Sequence, residues 1–546
     1  MAYENPYQAP TLTGYNSAPP SDDGQRTSSN VVRWATHLLK IGNPLKAFAQ
    51  AVSSEVLAAF DLLPTRLNIP AWQLGPTAAE TAAGVTVVSL RYDESVANRY
   101  ANNTTPGTTD MTAAIQAALD VHHNGGKEAR LLPETYLSGA INWPGNNLTL
   151  RGTGSAYSYN TSATPHTALR AKTGTTVLLD LVQTGTPEDR TGNLIEDIEF
   201  DGNSIATVGI DVSGANVIER CRVRRCTTAG VRFGPYINST RLVRCGLSSN
   251  SGWGLQVDGA GNTTFTLDQC VLSLNTLGGA DIEGGSGGHF GNCVFESNSG
   301  PGVRLYRPNS NTSSFGVFTF DTCWFEDNAA TAPNFALVLS AGTSDPAYGP
   351  QKIRFRNCRF SSAATRKYMS ADICRFVRFE NCSFSGSTQS DAITLSSNAR
   401  YVAFINSATG VGFGGGDGIT ATQMDAAIAQ GAFCFSSDQE IKRVVGAGAP
   451  AAAFTNSWAN NAGGTAAAYW FDSDGNVCIE GDVDTGTPPS SVFTLPVGYR
   501  PTALKRFAVD ANGAYGLVTV NTDGTVVVTV GSATRTSLSK IRFSTS

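Results

Sequence analysis

Seven cysteines, Cys221, Cys245, Cys270, Cys293, Cys323, Cys358 and Cys382, stand 24, 25, 23, 30, 35 and 24 residues apart, and each lies within the same short phrase. Four copies are clear, running from Val243 to Asn250, Asp268 to Asn275, Gly291 to Asn298 and Asp321 to Asn328. Weaker copies surround Cys221, Cys358 and Cys382, and Ile198 and Ser407 extend the register at either end. A fixed period in the twenties marks a solenoid, in which each repeat buries its apolar face only against its neighbours. An alternating strand follows each phrase, as in Gly254–Asp258, Ala280–Glu283, Gly302–Tyr306 and Ala392–Ser396. Another precedes it, as in Phe318–Phe320, Ile353–Phe355 and Val377–Phe379. Three strands per repeat predict a right-handed three-sheet parallel β-helix, with clear coils from about Leu194 to Ile405, since parallel crossovers are overwhelmingly right-handed. A leucine-rich repeat shares the period but has one strand per repeat and a leucine-dominated pattern.

Period-2 alternation points Cys and the residue two later inward, and the residues one and three later outward. The cysteine column then reads as small buried hydrophobes. Eleven cysteines without metal-site spacing read as free thiols, and no metal or cofactor is expected. Asn250, Asn275, Asn298 and Asn328 fall at a turn where asparagine tolerates the left-handed conformation, which predicts a structural asparagine ladder. With 57 glycines and only 15% charged residues the chain should be mostly β. A net charge of -5 gives no general basic surface for nucleic acid and fits neutral sugars or a protein partner better. No apolar run is long enough to insert in a membrane and the N-terminus has no export-signal pattern, so synthesis in a cytoplasm is expected.

Asp110–Asp120 reads as an amphipathic helix capped by Asp110, its stripe of Ile115, Ala118 and Leu119 suited to plugging the open end of the coils. Lys46–Leu63 places Phe48, Val52, Val56 and Phe60 at helical spacing, which suits either a trimeric stalk or a helix packed on its own β-helix. From about Ala432, Asp474-Gly475 and Asp523-Gly524 mark hairpins of a small antiparallel sandwich. Gly410–Gly416 lacks the Lys-Ser/Thr of a phosphate loop and reads as a linker. The predicted division is a helical module over 1–75, a lead-in region with the capping helix over 76–155, β-helix over 156–420 and sandwich over 421–546.

Ala79–Val85, Asn98-Arg99-Tyr100, Leu132–Tyr136 and Leu148–Gly154, together with the coils, resemble the start of pectate-lyase-like β-helix proteins, above all bacteriophage tailspikes. The Gly-Ala-Asp usual after the Tyr is replaced by Ala101-Asn102-Asn103. Asn16–Gly24, Asn30–Ala35 and Ile41–Lys46 resemble a module at the N-terminus of phage tail proteins. Phe493–Pro501 and Lys540–Phe543 resemble the terminal module of tail fibres, which trimerises the shaft or binds sugar. The resemblance implies a homotrimer in the virion tail, made in the host bacterium and attached through its N-terminus to a tail or baseplate protein. It also implies recognition of host surface polysaccharide and its cleavage by endoglycosidic hydrolysis. A lyase with Arg304 or Tyr306 as base, and a non-catalytic adhesin or structural fibre, are the alternatives.

Glycoside hydrolysis commonly uses two carboxyls, one to protonate the leaving oxygen and one as base or nucleophile. Stacked coils turn equivalent outward positions into columns of side chains. The cysteine strand offers Glu296 and Glu326 as the catalytic pair, with Trp324 beside them as a sugar platform. The following strand offers Asp258, Asp281 and Glu283 as the next set, with Arg304 and Tyr306 for binding, and the preceding strand offers His289. The longest insertions, Pro308–Gly316 and Ser340–Gln351, follow the second strand and suggest a groove there. The bland alternative is that these acids only solvate the surface and that Val271, Val294 and Trp324 meet another copy of the chain.

Overall fold

The computed structural model describes residues 76–545, apart from 90–91, 155–165, 183–190, 259–261, 309–314, 331–334, 343–348, 364, 388–392, 406, 408–433, 437–442, 447–451 and 473–475. The chain divides into two compact units, Met1–Pro76 and Thr77–Ser546. The Lys46–Leu63 helix, the N-terminal tail-protein resemblance and the Gly410–Gly416 linker lie outside the described residues.

Parallel pairing begins before the cysteine repeat announces it. Ala129–Arg130 pairs with Thr149–Arg151, and Thr135–Ser138 with Ala168–Ala171, inside the stretch that sequence assigns to a lead-in region. Thr167 and Ile198 hold the cysteine position in the early coils, so no cysteine marks them. From Thr135–Ser138 to Ser383–Ser385, ten short strands stack in parallel as one sheet, the cysteine face. The other two faces, expected as separate sheets, are continuous in a nineteen-stranded sheet. The reason is that Val208–Glu219, Lys367–Glu380 and Ile393–Ile405 run through the corner unbroken, with a register shift between Ala371 and Ile373 taking up the bend. The molecule is a right-handed parallel β-helix followed by antiparallel sheets.

Each cysteine strand is three residues long because single left-handed residues bracket it: Arg244 and Ser249, Gln269 and Leu274, Asn292 and Ser297, Thr322 and Asp327. The sequence expectation gives the left-handed role to the asparagines; it belongs instead to the residue before each one. That turn swings the asparagine into the interior. Asn250, Asn275, Asn298 and Asn328 are buried, and each Nδ2 donates to the next Oδ1, at 2.9, 3.0 and 2.8 Å. The backbone N–H groups of Asn250 and Asn275 donate to the same acceptors. At the following bend a side chain on Gly300 would put its Cβ 1.8 Å from the Leu277 carbonyl, so only glycine fits.

The cysteine thiols donate to carbonyls of the coil beneath, Cys293 to Leu267 at 3.5 Å and Cys323 to Phe290 at 3.3 Å. Ser407 takes over the column at its end, its Oγ donating to Phe379 at 3.0 Å. The ten cysteines whose side chains are described are all free. Burial raises the thiol pKa of Cys226 and Cys374 to about 12, the behaviour of inert packing groups. Beside the thiols rise two columns of stacked rings, Phe290, Phe320, Phe355, Phe379 and Phe404 at 4.5–4.8 Å centroid spacing and Phe295, Phe325, Phe360 and Phe384 likewise. Leu242 with Leu267 and Leu247 with Leu272 continue the columns below.

The helix Thr112–His123 covers the first coils with Ile115, Ala118 and Leu119 fully buried. Met111, not Asp110, is its N-cap; Asp110 sits one residue earlier and still accepts from Thr112 N–H at 3.0 Å. The helix also answers polar groups along the strand edges it covers. Thr112 Oγ1 accepts from Gly139 N, Gln116 bonds both N–H and C=O of Asn142, and His122 Nε2 accepts from Thr149 N. Residues behind the tailspike resemblance form two polar clusters at the start of the coils. Glu80 accepts from Arg99 and Tyr100, Tyr136 donates to Asn98 at 2.8 Å, and Asn98 and Asn103 donate to Glu134. At the C-terminal end, Ala468–Phe471 pairs antiparallel with Asn476–Glu480, and Ala514–Val520 with Thr525–Val530 around Asp523-Gly524.

Candidate active site

On the cysteine face, Glu296 and Glu326 are register partners in adjacent coils, as are Val294 and Trp324. Alternation with inward Phe295 and Phe325 holds all four outward. Strand spacing puts the two glutamates roughly 4.8 Å apart at their backbones. Burial, then repulsion from Glu296 and Asp327, outweighs attraction by Arg359 and pushes the Glu326 carboxyl above its ordinary range. Trp324 is 38% exposed, with the Arg359 guanidinium 4.7 Å from its ring centroid.

On the following face, Gln256, Asp281 and Arg304 are register partners in three successive coils, and Tyr306 lies two residues after Arg304. Asp258 and Glu283 follow the ends of their strands, each two residues after a member of that column. Asp281 is buried and both its oxygens are held by Arg304, one at 2.6 Å from Nε, with Glu283 3.4 Å from Nη2. Burial works against the charge of Arg304, but Asp281 more than offsets it and holds the guanidinium ionised. Asp281 thus holds Arg304 in place as a fixed cation at the centre of this group. Its guanidinium carbon lies 5.1 Å from the ring centres of both Trp253 and Tyr306. Asp258 is raised first by burial and then by Asp211 and Asp281, against Arg232. Glu283 is raised first by burial and then by Asp281 and Asp258, against Arg304.

His289 is not brought to either group. It lies outward on the third face, in register with Thr266 and Thr319. Sequence reading missed Trp253, Asp211 and Arg232. Asp211 and Arg232 belong to the same column as Gln256 and are paired with each other at 3.0 Å. Counting the column two coils further down would have found them, but the coil through Val208–Glu219 has no turn between its second and third strands to reveal the register. The insertions expected to wall a groove leave the second face after Arg307 and Ala341, and residues 309–314 and 343–348 lie outside the described set. Among the described residues no group of three or more acidic, histidine or cysteine side chains is arranged to hold a metal.

The architecture defines the class: a right-handed parallel β-helix protein with carboxylate clusters on its outer faces. Residues 236–366 match the family model described as the right handed beta helix region. No curated protein matches the chain. Solved structures similar to it include the catalytic domain of Agl-KA, with TM-score 0.43 and 15% identity over 59% of this chain and 66% of that one. They also include the enzymatically active domain of tailspike protein 2 from bacteriophage CBA120, with TM-score 0.42 and 10% identity over 82% of this chain and 79% of that one. A third is a tailspike from the Acinetobacter baumannii bacteriophage Fri1, described as a capsular polysaccharide depolymerase, with TM-score 0.37 and 12% identity over 79% of this chain and 82% of that one.

Proposed function

We propose that the chain is a phage tailspike that binds host surface polysaccharide on its β-helix and cleaves it by endoglycosidic hydrolysis, with Glu296 and Glu326 as the acid and its partner. The observation that carries this is the in-register stacking of the two glutamates beside the exposed Trp324. Like charges this close cannot ionise together at ordinary cost, and Glu326, whose carboxyl is raised, is the one placed to keep a proton and donate it. Trp324 receives the apolar side of a sugar ring. The homotrimer, the virion-attachment role of residues 1–75 and synthesis in the host bacterium are part of this reading, supported by the sequence resemblance.

The second reading places the chemistry at Asp258 and Glu283, favoured by the upward shift of both carboxyls. Asp281, whose two oxygens Arg304 holds, serves in this reading to fix that guanidinium beside them. Digestion of the host polysaccharide separates the reaction types. Fragments with water-derived reducing ends support the proposal, unsaturated ends absorbing in the ultraviolet mean a lyase, and intact polymer means binding only.

A further inference from the structure

The cysteine face carries a second group of charges, spread over the coils three to five below Glu296. Glu199 and Asp201 point outward from their strand, yet are 1% exposed each, because arginines cover them. Asp201 alone lies within 4 Å of three guanidinium groups, those of Arg170, Arg224 and Arg225, at 3.7 and 3.4 Å for the first two. Arg224 also bonds Glu199 at 2.6 Å. Leaving Arg222 aside, three guanidinium groups face two carboxylates, so this patch is positive on a chain whose net charge is -5. Arg170 is the loosest of the three. Its Nε has no hydrogen-bond partner among the described residues, although its side chain is 37% exposed.

The register joins this patch to the glutamates. Arg224, Ser248, Ser273 and Glu296 occupy the same outward position in successive coils, a distance of about 14 Å along the axis. Between the charged ends the face carries only Gly246, Ser248, Val271 and Ser273, short side chains between longer ones, so the surface dips. Ser273 is 1% exposed, and its Oγ has no hydrogen-bond partner among the described residues.

From this geometry we infer that the cysteine face is one longitudinal saccharide trough whose arginine end, at Arg170, Arg224 and Arg225, recognises the carboxylate of an acidic sugar. The inference names the substrate class for the proposed glutamate site and rests on that reading for its catalytic end. Guanidinium groups match a carboxylate with two parallel donors, whereas neutral sugars gain nothing from surplus charge.

The test uses the full chain and gel-affinity binding to polygalacturonate and hyaluronan, both uronate polymers, with dextran as the neutral chain and polyphosphate as charge without sugar. The expected result is at least tenfold tighter binding of a uronate polymer than of dextran or polyphosphate. Arg170→Gln should weaken it about tenfold, with Arg170→Lys recovering part of the loss. Arg170→Gln leaves Asp201 bonded to Arg225 and near Arg224, so the fold should survive, which circular dichroism checks. Uronate binding no tighter than dextran, equal binding of polyphosphate, or no response of a folded Arg170→Gln each overturns the inference. Failure of the glutamate reading shows separately, as unchanged turnover in the glutamate variants with uronate binding intact.

Discussion

Glu326 owes its elevated carboxyl first to burial and then to its neighbours Glu296 and Asp327, and an acid tuned in this way loses its function as pH rises through its pKa. Glu296→Gln and Glu326→Gln should each lower turnover of the host polysaccharide by about a hundredfold or more, with binding preserved. Parent-rate digestion by both variants would move the chemistry to Asp258 and Glu283. Asp258 offers a test of sign. Its folded pKa lies above the ordinary 3.8, so the ionised folded form carries a penalty that appears as pH rises from near 3.8 through the raised value. Asp258→Asn should therefore melt higher than the parent at neutral pH, and the gap should vanish below about pH 4 in a melting series. Both carboxylate groups were legible from period-2 spacing, because outward positions follow directly from the inward cysteines. What was not legible is which carboxylates are already spent. Only the coordinates reveal that Arg304 occupies both oxygens of Asp281.

At the level of the coil, the asparagine ladder is held by bonds that cannot be lost singly. Asn275 Oδ1 accepts from both the side chain and the backbone of Asn250, and its Nδ2 serves Asn298 and the Leu247 carbonyl. Asn275→Ala strands two buried donors and should cost about 2–5 kcal/mol in urea unfolding. Cys382→Ser should cost less than about 1.5 kcal/mol, since Ser407 already makes the equivalent bond one coil on. The ladder was readable because Asn recurs four times at one offset from Cys. The left-handed residues beside it were not, because Ser249, Leu274, Ser297 and Asp327 share no chemistry: the conformation is imposed by the corner and not chosen by the side chain. The early coils stayed hidden for the opposite reason, having the geometry without the cysteine.

For the whole molecule, the boundary at Thr77 is a natural place to cut. Thr77 closes a capping box with Glu80, and Glu80 in turn anchors Arg99 and Tyr100. A chain beginning at Thr77 should fold and keep polysaccharide binding, and light scattering of the full chain should give three times 57.3 kDa. A folded truncation that no longer binds, or a full-length monomer at micromolar concentration, would reverse the corresponding assignment. The helix Thr112–His123 has a further consequence. A β-helix ends in unpaired sheet edges, so a bare rim is a template on which a strand from another chain can pair and a filament can grow. By spending Thr112, Gln116 and His122 on rim groups that a neighbouring strand would otherwise take, the sequence turns a potentially endless polymer into a particle of defined length.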